Sequence, residues 1–241
     1  MNREKVDMNA VAGAAEPTGS MAPEFSAGQS SGLPLLPVYE KELFIFDMGN
    51  VVVKNIHVLG PVAEEWGLPM EEFLADYRQY DFPLMDGTIP TSEYWMHIEK
   101  KFGVKVEGEP FAKHFSPVMN PPMVALLKRL RKSGKRVVCG SNTFAPHWDI
   151  LADMGFLELF DAVYPSHELG MSKPARQYFQ FILDHEGMTA AQTFFVDDFP
   201  ENIEAAEKMG IATLQYADGP LPTGEELTAD QKLFRVFGAV D

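Results

Sequence analysis

The sequence predicts an α/β fold, a doubly wound parallel sheet with a small helical domain inserted after its first strand. Two observations support this prediction. From about residue 121 onward, short apolar runs alternate with amphipathic stretches that end in glycine, the pattern of a parallel sheet covered by helices on both faces. Before that point, residues 56–117 show helical spacing and no strand pattern.

Length and composition narrow the class of protein. A chain of 241 residues with 46% hydrophobic residues can form one sizeable core, or a core with a small inserted domain. Its formal net charge of −15 argues against unspecific binding to nucleic acid or to an anionic membrane. The single Cys139 lies in an apolar run, so we expect a buried thiol and no disulfide within the chain.

The sequence also gives no sign of a membrane or targeting segment. No apolar run approaches the ~18 residues that suggest a transmembrane helix. The charged residues near the N-terminus are not followed by a continuous apolar stretch, which a signal peptide requires. We therefore expect a cytoplasmic protein.

The first ordered element is a strand that ends in an acid. Residues 1–40 contain mainly Ala, Gly, Ser, Pro and Glu in no periodic order, so we predict a disordered N-terminal arm. A strand follows at about residues 42–47, within a core segment predicted to span residues 41–55. The aromatic and β-branched run over residues 43–46 is typical of a strand buried on both faces. The run ends in Asp47, which precedes residues that favour a turn.

The inserted segment, residues 56–117, is predicted to form a small helical domain. Helical spacing is visible in four stretches, at residues 62–66, 70–80, 94–102 and 111–115. Its many aromatic side chains are expected to form the core of the insert rather than a ligand site.

Residues 118–220 are predicted to complete the core. Strands are expected at residues 136–140, 162–164, 193–196 and 212–216, and helices at residues 121–133, 146–154, 174–185 and 202–209. Each of these helices is followed by a glycine, as is common at a helix C-terminus. Residues 221–241 are predicted to be a C-terminal tail with a short amphipathic stretch, and we assign them no function.

Polar side chains follow four of the predicted strands. They are Asp47 after the first strand, Ser141 and Asn142 after the second, Lys173 after the third, and Asp197 and Asp198 after the fourth. Because open parallel sheets bind ligands outside the carboxyl ends of their strands, we expect these groups to meet at one edge. Three carboxylates form an oxygen-rich site of the kind that Mg²⁺ takes, and small polar groups at a helix start suit an anion.

Each of these residues alone has an ordinary structural explanation. Ser141 could cap a helix, Lys173 could lie on the surface, and the two adjacent acids could form a turn. Their joint occurrence in strand-end order around one sheet favours a phosphate- and metal-binding site.

The four segments resemble a known family. In order and character, FIFDMGNVVV, VVCGSNT, LGMSKP and FFVDDFPENIEAA resemble the four motifs of the haloacid dehalogenase (HAD) superfamily, over about residues 42–217. The first motif resembles that of a group that includes a bacterial α-glucose-1-phosphate phosphatase. This group is similar to the N-terminal phosphatase domain of soluble epoxide hydrolases. The resemblance implies a HAD-like Rossmannoid core, with residues 56–117 as its small helical cap.

The resemblance also implies roles for the strand-end residues. Asp47 would be the nucleophile that accepts the phosphoryl group as an aspartyl phosphate. Ser141 would bind the phosphoryl oxygens with Asn142 beside it, and Lys173 would neutralise the charge of nucleophile and phosphoryl group. These roles agree with the demands of phosphoryl transfer, which are mainly positioning and charge neutralisation.

The same resemblance implies a Mg²⁺ site. Its ligands would be the Asp47 carboxylate, the backbone carbonyl of Gly49 and the Asp198 carboxylate, with Asp197 acting through a water molecule. Asn202 would brace the loop rather than contact the substrate. The implied function is a Mg²⁺-dependent phosphatase acting on small phosphorylated metabolites, with sugar phosphates as a candidate class. The sequence makes no prediction of oligomeric state.

One position departs from the family pattern and leaves alternatives open. Most phosphatases of the superfamily carry a second aspartate two residues after the nucleophile, where this chain has Gly49. Dehalogenating members lack that acid as well, so carbon–halogen hydrolysis by Asp47 is a second interpretation, although such members typically lack the paired metal-binding acids. A third is a regulatory protein that binds a phosphorylated ligand and turns it over weakly or not at all.

Overall fold

The computed structural model describes residues 38–220 and 224–238. Of the predicted N-terminal arm, residues 38–40 fall within these ranges, and the remainder lies outside the described residues. So do residues 221–223 and 239–241 of the predicted tail. Within the described part of the chain, no helix is both long and apolar enough to span a membrane.

The elements follow the predicted order. The strands are β1 (Leu43–Phe46), β2 (Val53–Lys54), β3 (Val118–Met119), β4 (Arg136–Ser141), β5 (Ala162–Pro165), β6 (Thr193–Asp197), β7 (Ala212–Gln215), β8 (Gly219–Pro220) and β9 (Glu226–Leu227). The helices are α1 (Leu59–Trp66), α2 (Met70–Met85), α3 (Thr91–Phe102), α4 (Pro110–His114), α5 (Pro121–Lys132), α6 (Ala145–Asp153), α7 (Ser166–Leu169), α8 (Arg176–Glu186), α9 (Pro200–Glu207) and α10 (Ala229–Phe237).

Five parallel strands form the central sheet, in the order β5-β4-β1-β6-β7. The predicted doubly wound parallel sheet is therefore confirmed. Phe46 lies opposite Cys139 on one side and Val196 on the other. The residues that follow Phe46 and Val196 also lie side by side, so Asp47 is beside Asp197 at the carboxyl edge of the sheet.

Both faces of the sheet are covered. Successive side chains of a strand point to opposite faces, and in β1 Phe44 and Phe46 join one buried cluster while Leu43 and Ile45 join another. This explains why the sequence of β1 is continuously apolar rather than alternating. Cys139 is buried and has no disulfide partner, as predicted.

Four helices, α1 to α4, make up the inserted segment. The chain leaves the core through β2 and returns through β3, which pair antiparallel with Val53 opposite Met119. The aromatic rings of Tyr94 and Phe111 are stacked with centroids 6.1 Å apart and are fully buried, as expected for the core of the insert. Phe82 differs, because 44% of its surface is exposed.

Several helices begin or end at residues other than those predicted. Helix α2 continues past Tyr80 to Met85 and includes Pro83 in its last turn, where the missing amide donor costs the helix one hydrogen bond near its end. Helix α8 begins at Arg176 rather than at Pro174, because Ala175 is still extended. Helix α9 begins earlier than predicted, with Pro200 at its first position, which is favourable for proline.

The predicted C-terminal tail includes a helix that packs on the sheet. Leu233 and Phe237 of α10 are fully buried. The ring of Phe237 lies 6.2 Å from that of Phe44 and 5.5 Å from that of Phe194. The side chain of Arg129 donates a hydrogen bond of 2.6 Å to the Phe237 carbonyl. Residues 229–237 thus form part of the core, a role that their short amphipathic pattern did not reveal.

His147 lies where the insert meets the core. Its ring stacks on Phe115 at 3.8 Å between centroids and lies 4.4 Å from the ring of Phe144. Its Nε2 is 3.3 Å from the Phe111 carbonyl. Burial among these rings lowers the pKa of His147 to about 3.

This burial predicts a pH-dependent stability. Because the pKa of His147 is lower in the folded state than in the unfolded state, protonation favours unfolding, and stability is lost as the pH falls from about 6.5 toward 3. At pH 5 the loss should be ~2 kcal/mol relative to pH 7. Urea unfolding of wild type and His147→Phe at both pH values tests this. The difference in stability between the two proteins should shift by that amount, and an unchanged difference would contradict the prediction.

Candidate active site

The site is organised around a buried lysine. The Nζ atom of Lys173 lies 2.6 Å from Asp47 Oδ1 and 2.7 Å from Asp197 Oδ2. Lys173 is 1% exposed, Asp197 0% and Asp47 8%. The strand ends of β1 and β6 therefore present two carboxylates to one ammonium group in a largely dry environment. The loop before α8 supplies that group, as the sequence predicted.

Asp198 completes a cluster of three acids. One carboxylate oxygen from each of Asp47, Asp197 and Asp198 lies within 4.8 Å of the others. Burial raises the pKa of Asp47 to about 7, Lys173 opposes this rise, and the charges of Asp197 and Asp198 add to it. Burial and the charge of Asp197 also raise the pKa of Asp198. Lys173 alone therefore does not offset the negative charge, and a further cation at this position would stabilise it.

The two adjacent acids are placed differently. The Asp197 carboxylate accepts hydrogen bonds from the Phe199 amide at 2.8 Å and from Asn202 Nδ2 at 3.1 Å, in addition to the bond from Lys173. The Asp198 carboxylate accepts a bond of 2.9 Å from Asn50 Nδ2. Because the oxygens of Asp197 are shared among three donors, Asp198 is the better placed of the two to bind a metal directly.

The three carboxylates fit Mg²⁺. It is a hard cation that takes oxygen ligands and is commonly held by one or two carboxylates, with water and substrate phosphate completing its shell. Asp47 and Asp198 could supply those oxygens, and Asp197 could act through water. The part assigned to the Gly49 carbonyl remains a prediction.

Ser141 offers a free hydroxyl. It ends β4 and is 1% exposed, and its Oγ has no hydrogen-bond partner among the described residues. Because buried polar groups are nearly always hydrogen-bonded, an unpaired hydroxyl at the carboxyl edge of the sheet suits an anionic ligand. The predicted contact of Ser141 with phosphoryl oxygens stays a prediction.

Asn142 contacts the backbone of Lys173. Its Nδ2 donates to the Lys173 carbonyl and its Oδ1 accepts from the Lys173 amide, both at 2.8 Å. The side chain therefore fixes the backbone of Lys173, and its predicted part in substrate binding stays a prediction. Asn202, which was expected to brace the loop, does so through its bonds to Asp197.

Two residues near the acids were not identified from the sequence as site residues. Asn50 has a left-handed backbone (φ 55°) and its side chain holds Asp198. The ammonium of Lys54 donates a hydrogen bond to the Asn50 carbonyl. The Gly-Asn pair predicted a turn here, but no local pattern indicated what the Asn50 side chain or Lys54 would contact.

The chain is similar to several known proteins. A family model described as haloacid dehalogenase-like hydrolase matches residues 41–210. Sesquiterpene phosphatase astK of Aspergillus oryzae is 35% identical over 97 residues, which cover 40% of this chain and 50% of that protein. Bifunctional epoxide hydrolase 2 of Rattus norvegicus is 30% identical over 201 residues, which cover 72% of this chain and 36% of that protein. The matches span half or less of the length of these two relatives.

A solved structure shares the fold. It is that of a HAD family enzyme from Bacteroides thetaiotaomicron in complex with magnesium and inorganic phosphate, with a TM-score of 0.64 and 23% identity. The match covers 77% of this chain and 96% of the other. At this identity the likeness concerns the arrangement of sheet and helices.

Proposed function

The chain belongs to the haloacid dehalogenase-like hydrolases, and from that premise we propose that it is a Mg²⁺-dependent phosphatase acting through an aspartyl phosphate on Asp47. The predicted family is thereby confirmed, and the proposal concerns the reaction. The observation that supports it most strongly is Lys173 held between Asp47 and Asp197, with Asp198 in the same cluster. Sugar phosphates are the first class of substrate to test.

The residues of the site suit a double displacement. A carboxylate oxygen of Asp47 attacks phosphorus as the bond to the ester oxygen breaks, and the ester oxygen departs with the bonding electron pair and takes a proton from solvent. Water then attacks the aspartyl phosphate, which releases inorganic phosphate and restores the carboxylate. Lys173 offsets the charge on Asp47 and the phosphoryl group, and Ser141 donates to a phosphoryl oxygen. A bound Mg²⁺ would contribute further neutralisation of the phosphoryl charge.

Carbon–halogen hydrolysis by the same aspartate is the second candidate. That reaction transfers no phosphoryl group, so it has no need of a buried cluster of three acids. The phosphatase name of one relative and the magnesium and phosphate of the solved structure support the first candidate. A phosphate-binding regulatory protein, the third interpretation, would keep the site and lack turnover.

A metabolite phosphatase screen with Mg²⁺ and with EDTA tests the proposal. Phosphate release should be lost in EDTA and return with Mg²⁺, and calorimetry should show that Asp198→Asn weakens Mg²⁺ binding about tenfold or more. The matched control is Asp161→Asn. Asp161 accepts hydrogen bonds from Arg131 and from the Val137 amide. It directly precedes β5 and therefore lies at the amino edge of the sheet, opposite the carboxyl edge that holds the three acids. Dehalogenation in EDTA would favour the second candidate, and phosphate binding without release the third.

A further inference from the structure

Tyr216 connects four parts of the molecule. It follows β7 and is 3% exposed. Its amide donates to the Asp197 carbonyl at 2.8 Å. Its hydroxyl donates to Asp230 of α10 and accepts a bond of 2.9 Å from Asn120 Nδ2. Its ring lies under the Lys54 ammonium, which is 4.7 Å from the ring centroid.

One set of contacts leads to the metal-binding acids. Lys54, placed over the Tyr216 ring, donates to the Asn50 carbonyl, and Asn50 Nδ2 donates to Asp198 Oδ2 at 2.9 Å. Asn50 has a left-handed backbone, a conformation that asparagine adopts more readily than most residues with a side chain. The Lys54 ammonium is the group that holds the Asn50 carbonyl.

A second set leads to the hinge of the insert. Asn120 stands between β3 and α5, where the chain returns from the insert. Its Nδ2 donates to the Val51 carbonyl at 2.7 Å and its amide to the Val52 carbonyl at 2.9 Å. Asn120 therefore joins the outgoing and returning segments of the hinge, and the Tyr216 hydroxyl holds the Asn120 side chain.

Helix α10 contributes the negative charge of Asp230 to these contacts. Burial lowers the pKa of Lys54, and the charges of Asp230, Asp198 and Asp218 oppose that effect. Burial and the bond to Asp230 raise the pKa of Tyr216, so its hydroxyl keeps the proton that it donates. The Asp230 carboxylate therefore stabilises the positive charge of Lys54 and also accepts the hydrogen bond of the Tyr216 hydroxyl.

We propose that Tyr216 is a positioning residue that holds both the metal-binding loop and the hinge of the insert, with Asp230 of the C-terminal helix fixing its hydroxyl. The proposal rests on the proposed Mg²⁺ site for its effect on metal binding. It gives helix α10 a function, since Asp230 of this helix accepts the hydrogen bond of the Tyr216 hydroxyl. The ligand concerned is the divalent cation held by Asp198.

Hydrogen exchange of the metal-free protein and Mg²⁺ calorimetry test the proposal. Tyr216→Phe should speed amide exchange in peptides covering residues 47–54 and 117–121, and should weaken Mg²⁺ binding about tenfold. Asp230→Asn should act in the same direction, and the two effects should be less than additive in the double variant, because Tyr216 and Asp230 share one hydrogen bond.

The control is Tyr164→Phe. It removes another buried tyrosine hydroxyl that donates to a carboxylate, Glu186 at 2.5 Å, away from the acid cluster. In the Tyr164→Phe variant, the amide exchange rates of these peptides and the affinity for Mg²⁺ should stay within about twofold of wild type. If Tyr216→Phe alters them no more than Tyr164→Phe does, or if the two substitutions at Tyr216 and Asp230 are additive, the proposal is wrong. A wild type that binds no Mg²⁺ would overturn the proposed function, and exchange in the metal-free protein would still decide the role of Tyr216.

Discussion

Asp47→Asn should lower kcat by at least ~10⁴-fold, the order of loss seen when a covalent nucleophile is removed. The amide that replaces the carboxylate can still accept a hydrogen bond from Lys173, which lies 2.6 Å from Asp47 Oδ1, but it cannot form an aspartyl phosphate. Removing one of three clustered acids also relieves repulsion, so the fold should remain intact. The wild type should instead yield an acid-stable, base-labile phosphoenzyme on Asp47 after rapid quench with labelled substrate.

Asp76→Asn is the matched control for this substitution. Asp76 is a buried acid in α2 that accepts hydrogen bonds from Lys101 at 2.5 Å and from His97 at 2.9 Å. It shares with Asp47 a lysine partner and burial, and it lies in the insert rather than at the strand ends. We expect it to keep kcat within about threefold of wild type, since it takes no part in the displacement. Turnover retained by Asp47→Asn, or label found on another residue, would rule out Asp47 as the nucleophile.

The rate should fall steeply as the leaving group becomes more basic. A positioned general acid is worth typically ~10²–10⁴-fold in rate, and Gly49 occupies the place where most phosphatases of the superfamily carry one. Esters whose departing oxygen is a weak base need that proton least. Aryl, acyl and anomeric sugar phosphates should therefore be cleaved ~10²–10⁴-fold faster than simple alkyl phosphates.

The surroundings of Gly49 permit a direct test. A Cβ atom there would lie 2.7 Å from Ile56 Cδ1 and 3.8 Å from Asp47 Oδ2. The close contact is with the end of a flexible side chain, so Ile56→Ala should make room for a larger residue. In that background, Gly49→Asp should raise kcat/KM for alkyl esters more than for aryl esters. Gly49→Ala, which adds only the methyl group, separates the steric effect from that of the acid.

The measurement is a plot of log kcat/KM against leaving-group pKa. It applies where formation of the phosphoenzyme limits the rate, which the absence of a burst of released alcohol verifies. A flat plot, with alkyl esters cleaved as fast as aryl esters, would mean that another side chain protonates the leaving group. Gly49→Asp should reduce the slope if the wild type lacks such a group.

The sequence alone determined the sheet and the place of its chemistry. A strand buried on both faces must be apolar at every position, so the run over residues 43–46 identified β1 without reference to any contact. Parallel strands have their carboxyl ends at one edge, so polar residues at those ends predicted that Asp47, Lys173 and Asp197 would meet. Both inferences depend on local patterns and on a general rule of topology.

Only the tertiary structure decided how that site is held. Asn50 reaches Asp198 across 148 residues of sequence, and Asn120 reaches Tyr216 across 96. Neither pairing leaves a local periodicity, because a hydrogen bond between distant residues constrains only two side chains. The helix α10 was likewise indistinct in the sequence, since nine residues carry too few apolar positions to indicate which surface they bury. Its stability comes from packing against Phe44 and Phe194, and short helices depend on such contacts rather than on their own propensity.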